Sequence, residues 1–273
     1  MNRRSVLIGS GGYLPKRVLD NDELAKLVDT SNKWIVERTG IYHRHIVADN
    51  EFTSDLAQKA ALNAMKNGGV SPEEIDLIIL ATATPDETFP ATATIVQESL
   101  GINQGAAFDI QAVCSGFIYA LTLADNAIRC HEANTAIVIG AETFSRLIDW
   151  NDRSTCVLFG DGAGAVVLRG ENNEDSTRGL LAHKIHSDGR YHDLLYTDGG
   201  PSKTGDTGHI RMEGKKVFRH AVESLTSVVH EVLDKAGLTI GDIDWLVPHQ
   251  ANIRILKSTA EKLGLPSEKV IFK

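Results

Sequence analysis

Asn67-Gly68-Gly69-Val70-Ser71-Pro72-Glu73-Glu74-Ile75-Asp76-Leu77-Ile78-Ile79 is answered 168 positions later by Lys235-Ala236-Gly237-Leu238-Thr239-Ile240-Gly241-Asp242-Ile243-Asp244-Trp245-Leu246-Val247. Gly69 aligns with Gly237, Ile75 with Ile243 and Asp76 with Asp244, and each copy joins a helical pattern to an apolar strand. A generic helix-turn-strand written twice is the plain alternative. Taken as a duplication, the repeat predicts an N-terminal half over 1–170, then a connection and a second half over 171–273. Lys273 then corresponds to position 105, just before the apolar run 106–110, so the second half reads as incomplete. Its unmatched elements would leave apolar surface uncovered.

Working outward, apolar runs at 4–8, 76–81, 106–110, 135–139 and 163–168 predict strands, and 89–100 and 115–128 carry helical patterns between them. The alternation points to an α/β protein with buried sheet. A strand is also expected at 244–247, while 169–207 reads mostly as connection, with 179–185 contributing strand structure.

The chain has 273 residues, 42% hydrophobic and 23% charged, which is ordinary globular composition with ample length for a core. Its net charge of −8, from 36 acidic and 28 basic side chains, argues against non-specific nucleic-acid binding while leaving room for a local basic patch. The apolar run after Arg3-Arg4 is only Val6-Leu7-Ile8, too short for a signal core, and no run reaches membrane-spanning length. The expected setting is the cytoplasm. Cys114, Cys130 and Cys156 are odd in number and too far apart for a CxxC pair, so a complete disulfide framework is excluded and thiol chemistry stays open.

Two glycine clusters invite a dinucleotide reading and fail it. Gly9-Ser10-Gly11-Gly12 lacks the third glycine of the fingerprint and meets Pro15 where a helix should start. Gly160-Asp161-Gly162-Ala163-Gly164 leads into the apolar Val166-Val167-Leu168, a strand. Close packing of backbone against a cleft suits these glycines better.

Cys114 stands where the strand Ala106 to Ile110 gives way to a helix, with small Ser115 and Gly116 leaving room for a reactant. Free N–H groups at a helix start are expected to stabilise a thiolate, and a thiolate can attack a thioester and leave again. A buried packing cysteine is the bland alternative. Cys130 and Cys156 have less suggestive surroundings. His249, in Pro248-His249-Gln250-Ala251-Asn252, follows the strand expected at 244–247 and is a candidate to donate a hydrogen bond or move a proton. His183, His186 and His192 have no zinc spacing and are expected in exposed loop, so no metal site is predicted.

Taken in order, five motifs carry a resemblance: Thr39-Gly40-Ile41 after Trp34 and Arg38; Ala83-Thr84-Pro85-Asp86 with Phe89-Pro90; Ala112-Val113-Cys114-Ser115-Gly116-Phe117; Phe159-Gly160-Asp161-Gly162-Ala163-Gly164; and Pro248-His249-Gln250-Ala251-Asn252. The sequence resembles the ketoacyl-ACP synthase III family of thiolase-fold condensing enzymes over essentially its whole length. The resemblance implies a duplicated βαβαβαββ unit in a five-layered α/β/α/β/α sandwich, here with an incomplete second half, and a homodimer. Family members also supply an asparagine and a glycine-rich oxyanion segment beyond the position of Lys273.

The resemblance implies β-ketoacyl-ACP synthase III activity, the acyltransferase step that initiates fatty-acid synthesis. Cys114 would take an acetyl or short acyl group from CoA, and malonyl-ACP would then lose CO2 and condense to 3-ketoacyl-ACP. His249 looks like one of two donors to the enolate oxygen. Trp34, Arg38 and Arg153 resemble residues of the CoA adenine region, and Asn252 resembles one lining the inner channel. Arg219, Arg254 and Lys257, with Lys215 and Lys216, resemble a basic rim receiving acyl carrier protein; an ordinary solvated charged face is the alternative. Phe89 resembles the aromatic that crosses the dimer interface and closes the partner's acyl pocket, with core packing as its alternative. CoA thioester is expected as substrate and CoA as product, with no permanently bound cofactor. No nucleic-acid or membrane partner is expected.

Two other readings remain open at this point: a related condensing enzyme that passes acyl groups elsewhere, and a catalytically inactive structural dimer partner. Thiolase fits less well, because no second cysteine is readable as its acid/base, and HMG-CoA synthase fits the Cys114 flanks less well.

Overall fold

The structure, a computed structural model, describes residues 3–172 and 178–272. In chain order the strands and α-helices are β1 (Arg3–Tyr13), β2 (Arg17–Asp20), α1 (Asn21–Leu24), α2 (Asn32–Thr39), β3 (His43–Ile46), α3 (Thr53–Gly68), β4 (Leu77–Ala81) and α4 (Thr92–Ser99). They continue as β5 (Ala106–Ile110), α5 (Gly116–Arg129), β6 (Thr135–Thr143), α6 (Arg153–Cys156), β7 (Asp161–Asn172), β8 (Leu195–Thr197), β9 (Ile210–Met212), α7 (Gly214–Ala236) and α8 (Ile253–Leu263).

Contacts divide the chain into two units, one of residues 1–17, 45–144 and 161–185, the other of 18–44, 145–160 and 186–273. The segments 18–44 and 145–160 thus group with the C-terminal part rather than with the sequence that surrounds them.

The first unit is built on one five-stranded sheet ordered β1-β7-β6-β4-β5. β4 runs parallel to both β5 and β6, whereas β7 is antiparallel to β6 and to β1. β4 is buried at all five positions and β6 at most of its own, as strands covered on both faces should be. On one face α3 lays down Ala57, Ala60, Ala61 and Ala64 against Ile78, Leu80, Ile137, Ile139 and Val167. On the other, α5 sets Ala120, Ala124 and Ile128 against Leu77, Ile79, Ala136 and Val138.

The glycines after the first apolar run lie inside β1 and pack against a helix, not a cleft. A β-carbon on Gly9 would come within 2.4 Å of the Ala64 carbonyl oxygen, and one on Gly11 within 2.3 Å of the Ala64 nitrogen. Glycine in the strand facing alanine on the helix lets the two backbones meet.

The sequence repeat is a repeat of local structure. α3 ends on Gly69 at φ 62° and α7 on Gly237 at φ 69°, the left-handed termination that glycine accepts without a steric penalty. Each is followed by a 3-10 turn closed by a capping box, Ser71 with Glu74 and Thr239 with Asp242. The copies then diverge. Residues 77–81 become β4, but the strand expected at 244–247 does not form among the described residues: Leu246 makes only an isolated parallel bridge with Val270. A strand is stabilised by partners on its edges, and one bridge does not make a ladder. Residues 179–185 likewise form no strand; Leu180 N–H donates to the Ser5 carbonyl and the Leu180 carbonyl accepts from Arg129. The helix expected from Phe89 begins at Thr92, because the Asp109 carboxylate accepts from the N–H groups of Thr92 and Ala93, both at 2.7 Å.

The second unit buries Leu24, Ile35, Leu147, Ile148, Ile210, Leu256 and Leu263 in the cores of its helices and the β8–β9 hairpin. α7 packs on α8, and α8 on α2.

Candidate active site

Cys114 occupies the short turn between the end of β5 and the start of α5, in the first unit. Three features fix that turn. Thr82 N–H donates to the Ile110 carbonyl at 3.1 Å, tying the exit of β4 to the exit of β5. Gly116 lies so close to Ala81 that a β-carbon on it would meet the alanine methyl at 3.0 Å. Val113 has φ +47°, a left-handed conformation unfavourable for a β-branched residue, and such strain persists only where surrounding structure enforces it.

Cys114 is solvent-accessible as a residue, although the protein packed around it desolvates the thiol group. Its ionisation is opposite to the expected one. Burial by surrounding protein pushes the Cys114 pKa up, and the Glu142 carboxylate adds to the rise, outweighing a backbone hydrogen bond that lowers it. The helix start therefore does not by itself yield a low-pKa thiolate here. Cys156 is fully buried, and desolvation pushes it up to about 11, which removes it as a nucleophile. Cys130 is exposed at the far end of α5.

Glu142, at the end of β6, carries no signal in the sequence reading. Its carboxylate accepts from Ala83 N–H at 2.9 and 3.2 Å, from the Thr84 hydroxyl at 2.7 Å and from the Thr82 hydroxyl at 3.3 Å. Burial outweighs these bonds and raises its pKa to about 7. The available clue is a lone acid near the end of an otherwise uncharged strand.

His249 lies in the second unit, in the loop before α8. Desolvation lowers its pKa, favouring the neutral imidazole that donor chemistry requires. Asn252 is the N-cap of α8, its side-chain oxygen accepting from Arg254 N–H at 2.9 Å. That oxygen is engaged in capping the helix.

Trp34, Arg38 and Arg153 come together within the second unit. The Arg38 guanidinium lies 5.6 Å and that of Arg153 5.0 Å from the Trp34 ring centroid. Arg153 also donates to the Asp29 carbonyl at 2.7 Å, which fixes it beside the ring. Thr39-Gly40-Ile41 terminates α2: Gly40, at φ 79°, donates to the Val36 carbonyl.

Arg219, Lys215 and Lys216 are exposed on α7, Arg254 and Lys257 on the adjoining α8. Arg254 lies 5.5 Å from the Phe218 ring centroid, bridging the two helices. Phe89 is 83% exposed, so it packs in no core of this chain. His186 and His192 are exposed and paired with Glu231 and Asp193, but His183 is half-buried beside Asp125 rather than free in a loop. Among the described residues no group of three or more His, Cys, Asp and Glu could hold a metal, and no helix is long and apolar enough to cross a membrane.

The family model described as 3-Oxoacyl-[acyl-carrier-protein (ACP)] synthase III matches residues 108–189, and that of its C-terminal domain matches 233–273. The second match shows that residues of the family's C-terminal domain are present in this chain. The chain is 63% identical, over 100% of its length and 84% of the relative's, to the beta-ketoacyl-[acyl-carrier-protein] synthase III of Rhodospirillum centenum. It is 60% identical to the Erythrobacter litoralis protein of the same name, over 98% of this chain and 84% of that one. The structure superposes on the crystal structure of 3-oxoacyl-[acyl-carrier-protein] synthase III from Aquifex aeolicus with a TM-score of 0.92 at 47% identity, covering 98% of this chain and 84% of that one. The fold is thiolase-like.

Proposed function

The chain belongs to the 3-oxoacyl-[acyl-carrier-protein] synthase III family, and from that premise we propose that it condenses an acetyl or short acyl-CoA primer with malonyl-ACP, giving 3-ketoacyl-ACP and CO2 and so initiating fatty-acid synthesis. The observation that carries the proposal is Cys114: a solvent-accessible cysteine on a strained turn between β5 and α5, inside the family match.

Cys114 sulfur attacks the thioester carbonyl of the primer, the tetrahedral adduct collapses, and CoA leaves as the thiol. The acyl group is then held on sulfur as a new thioester. Because the Cys114 thiol lies above its ordinary range, acylation includes loss of its proton as a real cost at neutral pH. Malonyl-ACP next loses CO2, and the electron pair of the broken C–C bond passes into an enolate. Neutral His249 donates a hydrogen bond to the enolate oxygen, which needs an aimed donor as its charge develops. The enolate carbon attacks the acyl carbonyl, and Cys114 sulfur departs and is reprotonated.

Trp34, flanked by Arg38 and Arg153, offers a flat face and two cations to the adenine end of CoA. The basic pair of helices α7 and α8 suits an acidic carrier protein, against the chain's overall charge of −8. Asn252 lines the inner channel in this reading, while its side-chain oxygen caps α8. Phe89 closes the acyl pocket of a second copy in a homodimer, which agrees with its exposure. CoA enters and leaves as substrate and product with no resident cofactor, and the setting is the cytoplasm, as in the family resemblance.

The test is incubation of the chain with acetyl-CoA, followed by intact and peptide mass spectrometry. Acetyl on Cys114 and, after addition of malonyl-ACP, acetoacetyl-ACP with CO2 are expected. Loading without turnover would favour an enzyme that passes acyl groups to another acceptor. A folded chain that takes no acyl group from any short acyl-CoA would overturn the proposal.

A further inference from the structure

The carboxylate of Glu142 does more than fill space at the end of β6. It gathers three consecutive residues, Thr82, Ala83 and Thr84, through four contacts of 2.7 to 3.3 Å. The Thr84 hydroxyl also accepts from Thr143 N–H at 2.9 Å, while the Thr53 hydroxyl donates to the Thr84 carbonyl at 2.6 Å. The N-terminus of α3, the exit of β4 and the exit of β6 are thereby joined at one point. From there Thr82 N–H reaches the Ile110 carbonyl, four residues before Cys114, and Ala81 supports Gly116, two residues after it. The turn that carries Cys114 is thus held on one side by Thr82, which Glu142 contacts, and on the other by Ala81, the residue next to it in the chain.

A carboxyl group is a costly choice for such a clamp. Among the described residues no cation pairs with it, and four hydrogen bonds do not offset its burial. Most charged groups on the elements packed around β6 have partners elsewhere, Arg169 of β7 with Glu74 among them. On α3, Asp55 accepts from Phe52 N–H and Lys59 pairs with Glu51; on α5, Asp125 pairs with Arg129. Asp86 accepts from Ser54, Asp109 caps α4, and Asp161 accepts from Val47 N–H. Glu142 in turn adds to the rise that burial causes in the Cys114 pKa.

We propose that Glu142 is a positioning residue for acyl transfer, holding the 82–84 turn against the Cys114 loop and setting the charge against which the thiol ionises. This rests on the reading of Cys114 as nucleophile. When Glu142 is neutral the thiol ionises more readily; when it is charged the thiolate is held back and the sulfur stays protonated.

The experiment is the rate of Cys114 alkylation by iodoacetamide across pH 5.5 to 10.5, read at the Cys114 peptide by mass spectrometry so that exposed Cys130 does not contribute. In the wild-type protein the logarithm of the rate should rise in two steps with a shoulder near pH 7, where Glu142 acquires its charge. Glu142→Gln should remove the shoulder and lower the midpoint of the Cys114 ionisation. Glu142→Asp, which keeps the charge, should retain two steps. A purely structural clamp predicts none of these changes in shape. A wild-type profile with a single ionisation overturns the proposal even if Glu142→Gln fails to fold, and so does a folded Glu142→Gln protein whose profile matches wild type. Failure of the underlying reading registers separately, as a wild-type chain that takes no acetyl group from acetyl-CoA whatever its alkylation profile.

Discussion

Gly116 and Ala81 are in such close opposition that a β-carbon on the glycine would lie 3.0 Å from the alanine methyl. Ala81 is the last residue of β4 and Gly116 the first of α5, so this contact sets how deeply the helix start, and Cys114 with it, seats on the sheet. Gly116→Val should overpack the junction and destabilise the fold by about 1–3 kcal/mol. It should also move the Cys114 turn, and a misplaced nucleophile loses rate out of proportion to stability. Acyl loading is expected to fall by roughly a hundredfold at temperatures where circular dichroism still reports a folded chain. Loading at the wild-type rate would mean that this contact does not position the thiol.

Removal of the two proposed catalytic groups should give different defects. Cys114→Ala is expected to abolish acetyl loading with little change in melting temperature, since an exposed side chain loses few contacts. His249→Ala should leave loading largely intact but slow malonyl-ACP decarboxylation by about a hundredfold or more, as loss of one oxyanion donor does. The lowered pKa of His249 adds a sign: the imidazole stays neutral below the pH at which a free histidine protonates, so decarboxylation should persist into that range before falling. Radiolabelled CO2 release across pH 5 to 8 reads this directly. A rate that falls as pH rises through neutrality would exclude the neutral donor.

What could be read from the sequence follows how local the determining forces are. Cys114 is legible because a strand, small residues and a helical pattern follow one another without interruption. The glycine-terminated helix and capped turn at Gly69 and Gly237 are legible for the same reason. The direction of the Cys114 ionisation is not, because it depends on burial and on Glu142 in another strand. Residues 244–247 repeat the apolar pattern of β4, yet only Leu246 finds a bridge, since pattern specifies a face and cannot supply a partner. Gly9 and Gly11 look like a nucleotide loop in isolation and become a strand only beside the alanine face of α3.

Glu142 should also leave a mark on stability. Its pKa rises from about 4.5 toward about 7 on folding, so between these values the folded chain holds a proton that the unfolded chain releases. Stability is therefore expected to decline as pH rises through that window, and to level off above it. Glu142→Gln, which cannot ionise, should lack this part of the decline. Urea midpoints measured at intervals from pH 4.5 to 7.5 compare the two proteins, and parallel curves would show that the carboxyl does not titrate there.

The Trp34 cluster makes a claim about binding rather than chemistry. Arg38 and Arg153 hold guanidinium groups 5.6 and 5.0 Å from the Trp34 ring centroid, and only Arg153 has a second anchor, at the Asp29 carbonyl. A cation that is already fixed loses less freedom when ligand arrives. Arg153→Ala should therefore weaken CoA more than Arg38→Ala does, each by a factor of roughly 2 to 30, the range expected of a single cation–π or phosphate contact. Trp34→Ala should raise the KM for acyl-CoA while leaving the maximal loading rate near wild type, because the adenine end of CoA proposed for this ring takes no part in the bond changes and is held alike in ground and transition states. Titration of CoA against Trp34 fluorescence, with the other two tryptophans replaced by phenylalanine, gives the affinities. A Trp34→Ala protein with unchanged KM and a reduced loading rate would remove the cluster from the CoA site and require another role for it.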